Sequence, residues 1–146
     1  MNRKLKIVLI LFSILLISCN PFHENRVLEH ENELLLLISK LEKYENGTFS
    51  SDEIDEFIIE NVRDLDIDFI VKNSGKKNPD YSGFIEESDS LIIFIKRSKS
   101  ILDKEKRIIY DFNKTPRNFG NDTITLANYR IIQLNHRWYY SEEGFD

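Results

Sequence analysis

His23-Glu24 and His30-Glu31 each begin the pattern His-Glu-x-x-His. In that pattern two histidines one helical turn apart hold zinc and the glutamate activates its water. Val27 and Leu34 stand where the second histidines belong, so neither run completes a metal site. His23 and His30, seven residues apart, could share a helix face, but beside Glu24 and Glu31 they read as solvated side chains. Asp64-Leu65-Asp66-Ile67-Asp68 has the opening spacing of a calcium loop, with carboxylates at alternate positions. Phe69 then occupies the turn position that needs glycine, and Gly75 the place of the bidentate acid, so the run reads as the acidic wet face of a strand. No Gly-x-Ser-x-Gly, no supported Ser-x-x-Lys and no phosphate-cradling glycine loop occurs, and five glycines are few for such a loop. Glu86, Glu87 and Asp89, and Glu142, Glu143 and Asp146, read as solvated acids. A catalytic pair of carboxylates has to be assembled by the fold, and the sequence leaves open which acids would meet.

Trp138, Tyr139 and Tyr140 lie close to Arg130 and Arg137. Aromatic and guanidinium side chains are the types that anchor protein interfaces. Arg130, Arg137, Trp138 and Tyr139 are therefore the candidate binding face, although alternation along a strand must turn some of these rings inward.

The most specific stretch is at the start. Arg3, Lys4 and Lys6 make a positive front, Ile7 to Ile17 an apolar run of roughly eleven residues, and Leu16-Ile17-Ser18-Cys19 closes it. The run is too short for a stable membrane span, which takes about twenty apolar residues. Leu16-Ile17-Ser18-Cys19 resembles the lipobox of bacterial lipoproteins. The resemblance covers residues 1–20 and implies that the leader is cut before Cys19 and that the Cys19 sulfur carries a diacylglyceryl group. Two or three acyl chains would then hold the protein on a membrane persistently. The alternative is an ordinary secretory leader cut elsewhere, with Cys19 discarded or free. Asn20, where lipoproteins kept at the inner membrane of enteric bacteria have Asp, implies the outer membrane if the cell has two. The expected organisation is a leader over 1–18, a lipidated tether over 19–25, and a single small domain over 26–146.

Removing residues 1–18 from the 146 leaves 128, enough for one core. The leader holds three of the 20 Lys and Arg and no acid, so the remainder has 17 bases against 25 acids, a formal −8. That average argues against nucleic acid and against docking on anionic headgroups through a basic patch. The only cysteine is Cys19, and the lipidation that the resemblance implies would consume it, so a domain without disulfide, thiol nucleophile, cysteine metal site or cofactor is expected. Asp89-Ser90-Leu91 and Asp122-Thr123-Ile124 resemble the short sites at which Bacteroidetes envelope proteins are O-glycosylated, which implies Ser90 and Thr123 as acceptors.

The elements that must position these residues follow from periodicity. Val27, Leu34, Ile38 and Leu41 predict a helix from about Glu24 to Tyr44, closed by Asn46-Gly47. Ser50-Ser51-Asp52-Glu53 has capping-box spacing and predicts a second helix carrying Ile54, Phe57, Ile58 and Val62. Leu65, Ile67, Phe69 and Val71 then predict a strand with one wet face, and Leu91–Lys96 and Arg107–Phe112 predict two more. Asn128–Leu134 and Arg137–Tyr140 predict a hairpin turning at Asn135-His136, with Gln133 opposite Trp138, and Tyr129, Ile131, Trp138 and Tyr140 on one core side. The expectation is an α+β domain: two N-terminal helices, then an antiparallel sheet of about five strands, similar in element order to cystatin-like domains. Its expected role is non-enzymatic: a lipid-anchored envelope protein binding a protein or small ligand at the membrane surface. Alternatives are an envelope hydrolase with paired carboxylates, and a structural, assembly or immunity-type lipoprotein.

Overall fold

The computed structural model describes residues 20–50, 56–74, 90–100, 103–114, 123–125 and 128–144. The expected leader, Cys19 and residues 51–53 of the expected capping box lie outside the described residues. The described elements are a 3-10 turn (Val27–His30), α1 (Glu31–Leu41), β1 (Gly47–Ser50), α2 (Glu56–Asp64), β2 (Phe69–Ser74), β3 (Ser90–Lys96), β4 (Glu105–Asp111), β5 (Thr123–Thr125), β6 (Tyr129–Gln133) and β7 (Trp138–Glu143). The strands form one antiparallel sheet in the order β1-β2-β3-β4-β7-β6-β5. The α+β class therefore holds, with two corrections. The sheet has seven strands, not about five, and β1 separates the helices, so the order is not two helices followed by strands. That interposed strand also departs from the element order on which the cystatin-like likeness rested.

Both helices lie on one face of the sheet. Leu34, Leu37, Ile38 and Leu41 of α1 and Ile58 and Val62 of α2 share a core with Ile70, Ile92, Phe94, Ile108, Trp138 and Tyr140. Phe49, Ile70, Phe94, Ile108, Tyr140 and Ile132 are successive partners across the strands, so one row of side chains runs the width of this face. The other face carries Val71, Leu91, Ile93, Ile95, Ile109, Ile131 and Tyr139, all buried. β2 and β3 are thus apolar on both faces, where the sequence had suggested a wet one for β2.

The β2 strand also starts later than expected. Leu65 and Ile67 belong to the end of α2, where the Ile67 N–H bonds the Val62 carbonyl at 2.9 Å and the Asp66 N–H the Arg63 carbonyl at 3.1 Å. Those two bonds are the Schellman ending, and the apolar contact it calls for is supplied by Ile67 and Val62, both in the core. Its left-handed position is Asp66, with φ 56°, where glycine is usual. A non-glycine residue there costs roughly 1–2 kcal/mol. The side chain offsets this: Asp66 takes an ion pair from the buried Lys96 and a 3.2 Å hydrogen bond from the Asn20 amide.

The end of α1 is closed by a lysine from the sheet. Lys72 is 8% exposed, and its ammonium donates to the carbonyls of Leu41 (2.8 Å), Glu42 (3.0 Å) and Tyr44 (2.5 Å). A cation among the free carbonyls of a helix C-terminus is favourable on both hydrogen-bond and dipole grounds. Burial pushes its pKa down from the ordinary lysine value, and Glu42 pushes the other way.

Residues 20–25, expected to be a tether, pack on the domain. Pro21 and Phe22 are buried, the Phe22 carbonyl accepts from the Tyr140 hydroxyl at 3.4 Å, and Glu24 pairs with Arg130 at 2.5 Å. From Asn20 beside β3 to Glu24 beside β6 the chain crosses three strand spacings, about 14 Å, within reach of five residues.

Candidate functional site

The four candidate face residues do not form one surface. Trp138 and Tyr139 are consecutive on β7 and point to opposite sides of the sheet, each about 1–2% exposed. Arg130 lies near the far end of the β6–β7 hairpin from Arg137 and is held by Glu24, which keeps its guanidinium above the ordinary arginine range. Tyr139 lies in the second core beside Ile131, where burial and the nearby Asp111 push its hydroxyl pKa up.

The register of that hairpin explains the scatter. Gln133 faces Tyr139 and Ile132 faces Tyr140, one residue off the expected pairing. The Asn135 side-chain oxygen accepts from the N–H of Arg137 (3.0 Å) and of Trp138 (3.1 Å), while the Leu134 N–H reaches the Trp138 carbonyl at 2.8 Å. Four residues therefore make the turn where two were expected. A slip of one residue exchanges the faces of a whole strand, so Trp138 and Tyr140 join Ile132, and Tyr129 and Ile131 join Tyr139.

What the turn does build is a shallow depression of about 370 Å³ between it and α1. Trp138 forms its floor, packed edge-on against Tyr110 (4.8 Å between ring centroids) and stacked on Phe94 (6.5 Å). A buried indole needs an acceptor for its N–H. Glu31, at the start of α1, supplies it at 2.9 Å. The Arg137 guanidinium lies 5.9 Å from the Tyr110 ring centre and donates to its hydroxyl at 3.2 Å. Exposed His136 and Asn135 form the outer rim and Leu35 the helical one. Leu35 and its neighbour Leu36 are 36% and 45% exposed, and Leu28, seven residues before Leu35, is 43% exposed. Glu31 and Tyr110 were missed from sequence as members of this surface. The signal that could have found an acceptor is the lone tryptophan itself, whose N–H has to be satisfied somewhere.

A second cleft, of about 360 Å³, lies at the opposite end of the sheet, between Arg97, Ser98, Glu105, Arg107, Glu143 and Gly144. Here two carboxylates do converge. Both meet on one guanidinium, however: Arg107 pairs with Glu105 at 2.7 Å and Glu143 at 2.5 Å. An acid and base that work on a substrate must be free to exchange a proton with it, and these are engaged with a cation. Asp66 and Asp68 likewise converge on Lys96 rather than on an open cation position. Among the described residues no group of three or more His, Cys, Asp or Glu is placed to hold a metal ion. His23 is exposed, and His30 lies 3.3 Å from the Arg26 guanidinium. Ser90 opens β3 and Thr123 opens β5, so both candidate acceptors sit in strands; Cys19 lies outside the described residues.

Comparison with known proteins gives no match to a family model, a curated protein or a solved structure. No helix among the described residues is long and apolar enough to cross a membrane.

Proposed function

We propose that the chain is a lipid-anchored protein of the bacterial envelope, modified at Cys19, whose α+β domain is a non-enzymatic recognition module. If the cell has two membranes, the outer one is its destination. The partner is a protein, met at the depression around Trp138. The lipobox carries the anchoring half of this reading. The recognition half rests on where the depression lies. Asn20 is bonded to Asp66, which pairs with Lys96, at the end of the sheet that holds the last residue of β3 and the first of β4. The β6–β7 turn is at the other end. An anchored domain would thus hold its aromatic, open depression away from the membrane. Leu35 on its rim, with the exposed Leu28 and Leu36 on the same stretch of chain, adds exposed apolar area of the kind that interfaces use.

The test is copurification from detergent-solubilised membranes, comparing the wild type with a Leu35→Asp/His136→Glu variant. The expected result is a partner retained by the wild type and lost by the variant while the variant stays folded and membrane-bound. An identical set of copurifying proteins would overturn the recognition site. Hydrolysis of peptidoglycan, a glycan or an ester by the purified protein, abolished by Glu143→Gln, would replace this reading with that of a hydrolase.

A further inference from the structure

The cleft between Arg97 and Glu143 holds two opposite imbalances. Glu105 and Glu143 are direct partners across β4 and β7, and like charges placed opposite each other in a sheet repel. Arg107, two residues along β4 on the same face, relieves the repulsion by bonding Oε1 of Glu105 and Oε2 of Glu143. The second oxygen of each carboxylate has no partner among the described residues. Arg97 lines the same cleft and shows the reverse. Its guanidinium lies 4.6 Å from the centre of the Phe69 ring, with no carboxylate within ion-pair distance among the described residues. A ring contact positions a guanidinium without using its N–H fork, the part that matches a carboxylate. The Arg97 backbone N–H, bonded to Asp68 at 2.7 Å, fixes the root of the side chain.

The neighbouring charges do not fill these vacant positions. Lys96, Lys106, Glu142 and Arg130 are successive partners on the opposite face of the sheet. Asp103 accepts from the backbone N–H groups of Lys99 at 3.3 Å and Lys104 at 3.0 Å. Within the cleft Arg97 and Arg107 stand against Glu105 and Glu143, a formal charge of zero. A simple anion would meet the free carboxylate oxygens, and a simple cation the free guanidinium. A molecule carrying one charge of each sign meets both with its complement. We infer that this cleft binds a small zwitterion of the amino-acid class, with its carboxylate on the Arg97 fork and its ammonium on the free oxygens of Glu105 and Glu143. The cleft volume of about 360 Å³ is at the lower end of ligand sites, about 300–1,000 Å³, and suits a single amino acid. The site is at the opposite end of the sheet from the depression at Trp138 and does not depend on the anchor.

Isothermal titration calorimetry of the full chain with the common L-amino acids, taken one at a time, tests this. Each amino acid is compared with the carboxylic acid that lacks its amino group and with the amine that lacks its carboxyl group. At least one amino acid should give saturable heat and bind roughly tenfold or more tightly than either half-ligand, since each half loses one charge-assisted contact. Arg97→Gln should leave the amino acid binding no better than its amine, and Glu143→Gln should weaken the amino acid roughly tenfold while sparing the carboxylic acid. The wild-type comparison of the three ligands needs no variant, so it decides even if a variant fails to fold. Absence of saturable heat from every amino acid, or half-ligands that bind as tightly as the whole, would overturn the assignment. So would binding that is the same in folded Arg97→Gln and Glu143→Gln proteins as in the wild type.

Discussion

Replacing Lys72 by methionine keeps an unbranched side chain of similar length and removes the charge that closes α1. Three acceptors lose their donor. The bond to the Leu41 carbonyl is buried, and leaving such an acceptor unpaired costs about 1–3 kcal/mol. The Glu42 and Tyr44 carbonyls are part-buried and can turn to water, so together they contribute about 1 kcal/mol more. Loss of a cation at the helix C-terminus adds roughly 0.5 kcal/mol. Against this, methionine removes the burden of a buried ammonium, the burden that pushes the Lys72 pKa down; that return is about 1 kcal/mol. The net is a loss of about 2–3 kcal/mol, or a fall in Tm of about 8–12 °C for a domain of this size. Urea unfolding followed by far-ultraviolet circular dichroism should show a lower midpoint with the slope unchanged. Hydrogen exchange should locate the loss at residues 41–44. A change below about 0.5 kcal/mol, or exchange that accelerates elsewhere instead, would refute the assignment of Lys72 as the cap of α1.

Three further outcomes follow from the same contacts. Glu31→Ala removes the acceptor of the Trp138 N–H and should cost about 1–2 kcal/mol, discounted because the pair is part-buried, with a shift in the emission of the lone tryptophan that Glu31→Gln largely reverses. Phe22→Ala should cost about 2–4 kcal/mol by denaturant unfolding and free the segment before Val27 for proteolysis; a change under 1 kcal/mol would mean that residues 20–25 are a loose tether after all. Burial raises the pKa of Tyr139 and Tyr140 above the ordinary 10.0, so the folded state keeps protons that the unfolded chain loses. Their contribution is fully present below pH 10 and is lost as pH rises beyond it, and ultraviolet titration should show these two tyrosines ionising only on unfolding.

The strands β3 and β4 were legible in the sequence because Leu91–Lys96 and Arg107–Phe112 are short runs dense in β-branched and aromatic residues. β1 was not, since Gly47-Thr48-Phe49-Ser50 is a half-buried edge with only Phe49 to pack inward. Leu65 and Ile67 imitated strand alternation while serving a helix ending, because they flank the left-handed Asp66 and both turn into the core, Ile67 as the apolar partner of Val62. The hairpin register slipped on one side chain, Asn135, whose oxygen holds two backbone N–H groups and lengthens the turn. Trp138 stood out by type, but its acceptor Glu31 is 107 residues away, a pairing made by tertiary packing alone.

The central claim is that this domain is held to a membrane by acyl chains on one sulfur. Growth of a bacterial host with radiolabelled palmitate tests it most directly. The wild-type protein should take up label and partition with membranes, and Cys19→Ser should do neither. A wild-type protein that stays unlabelled and behaves like the serine variant would contradict the account.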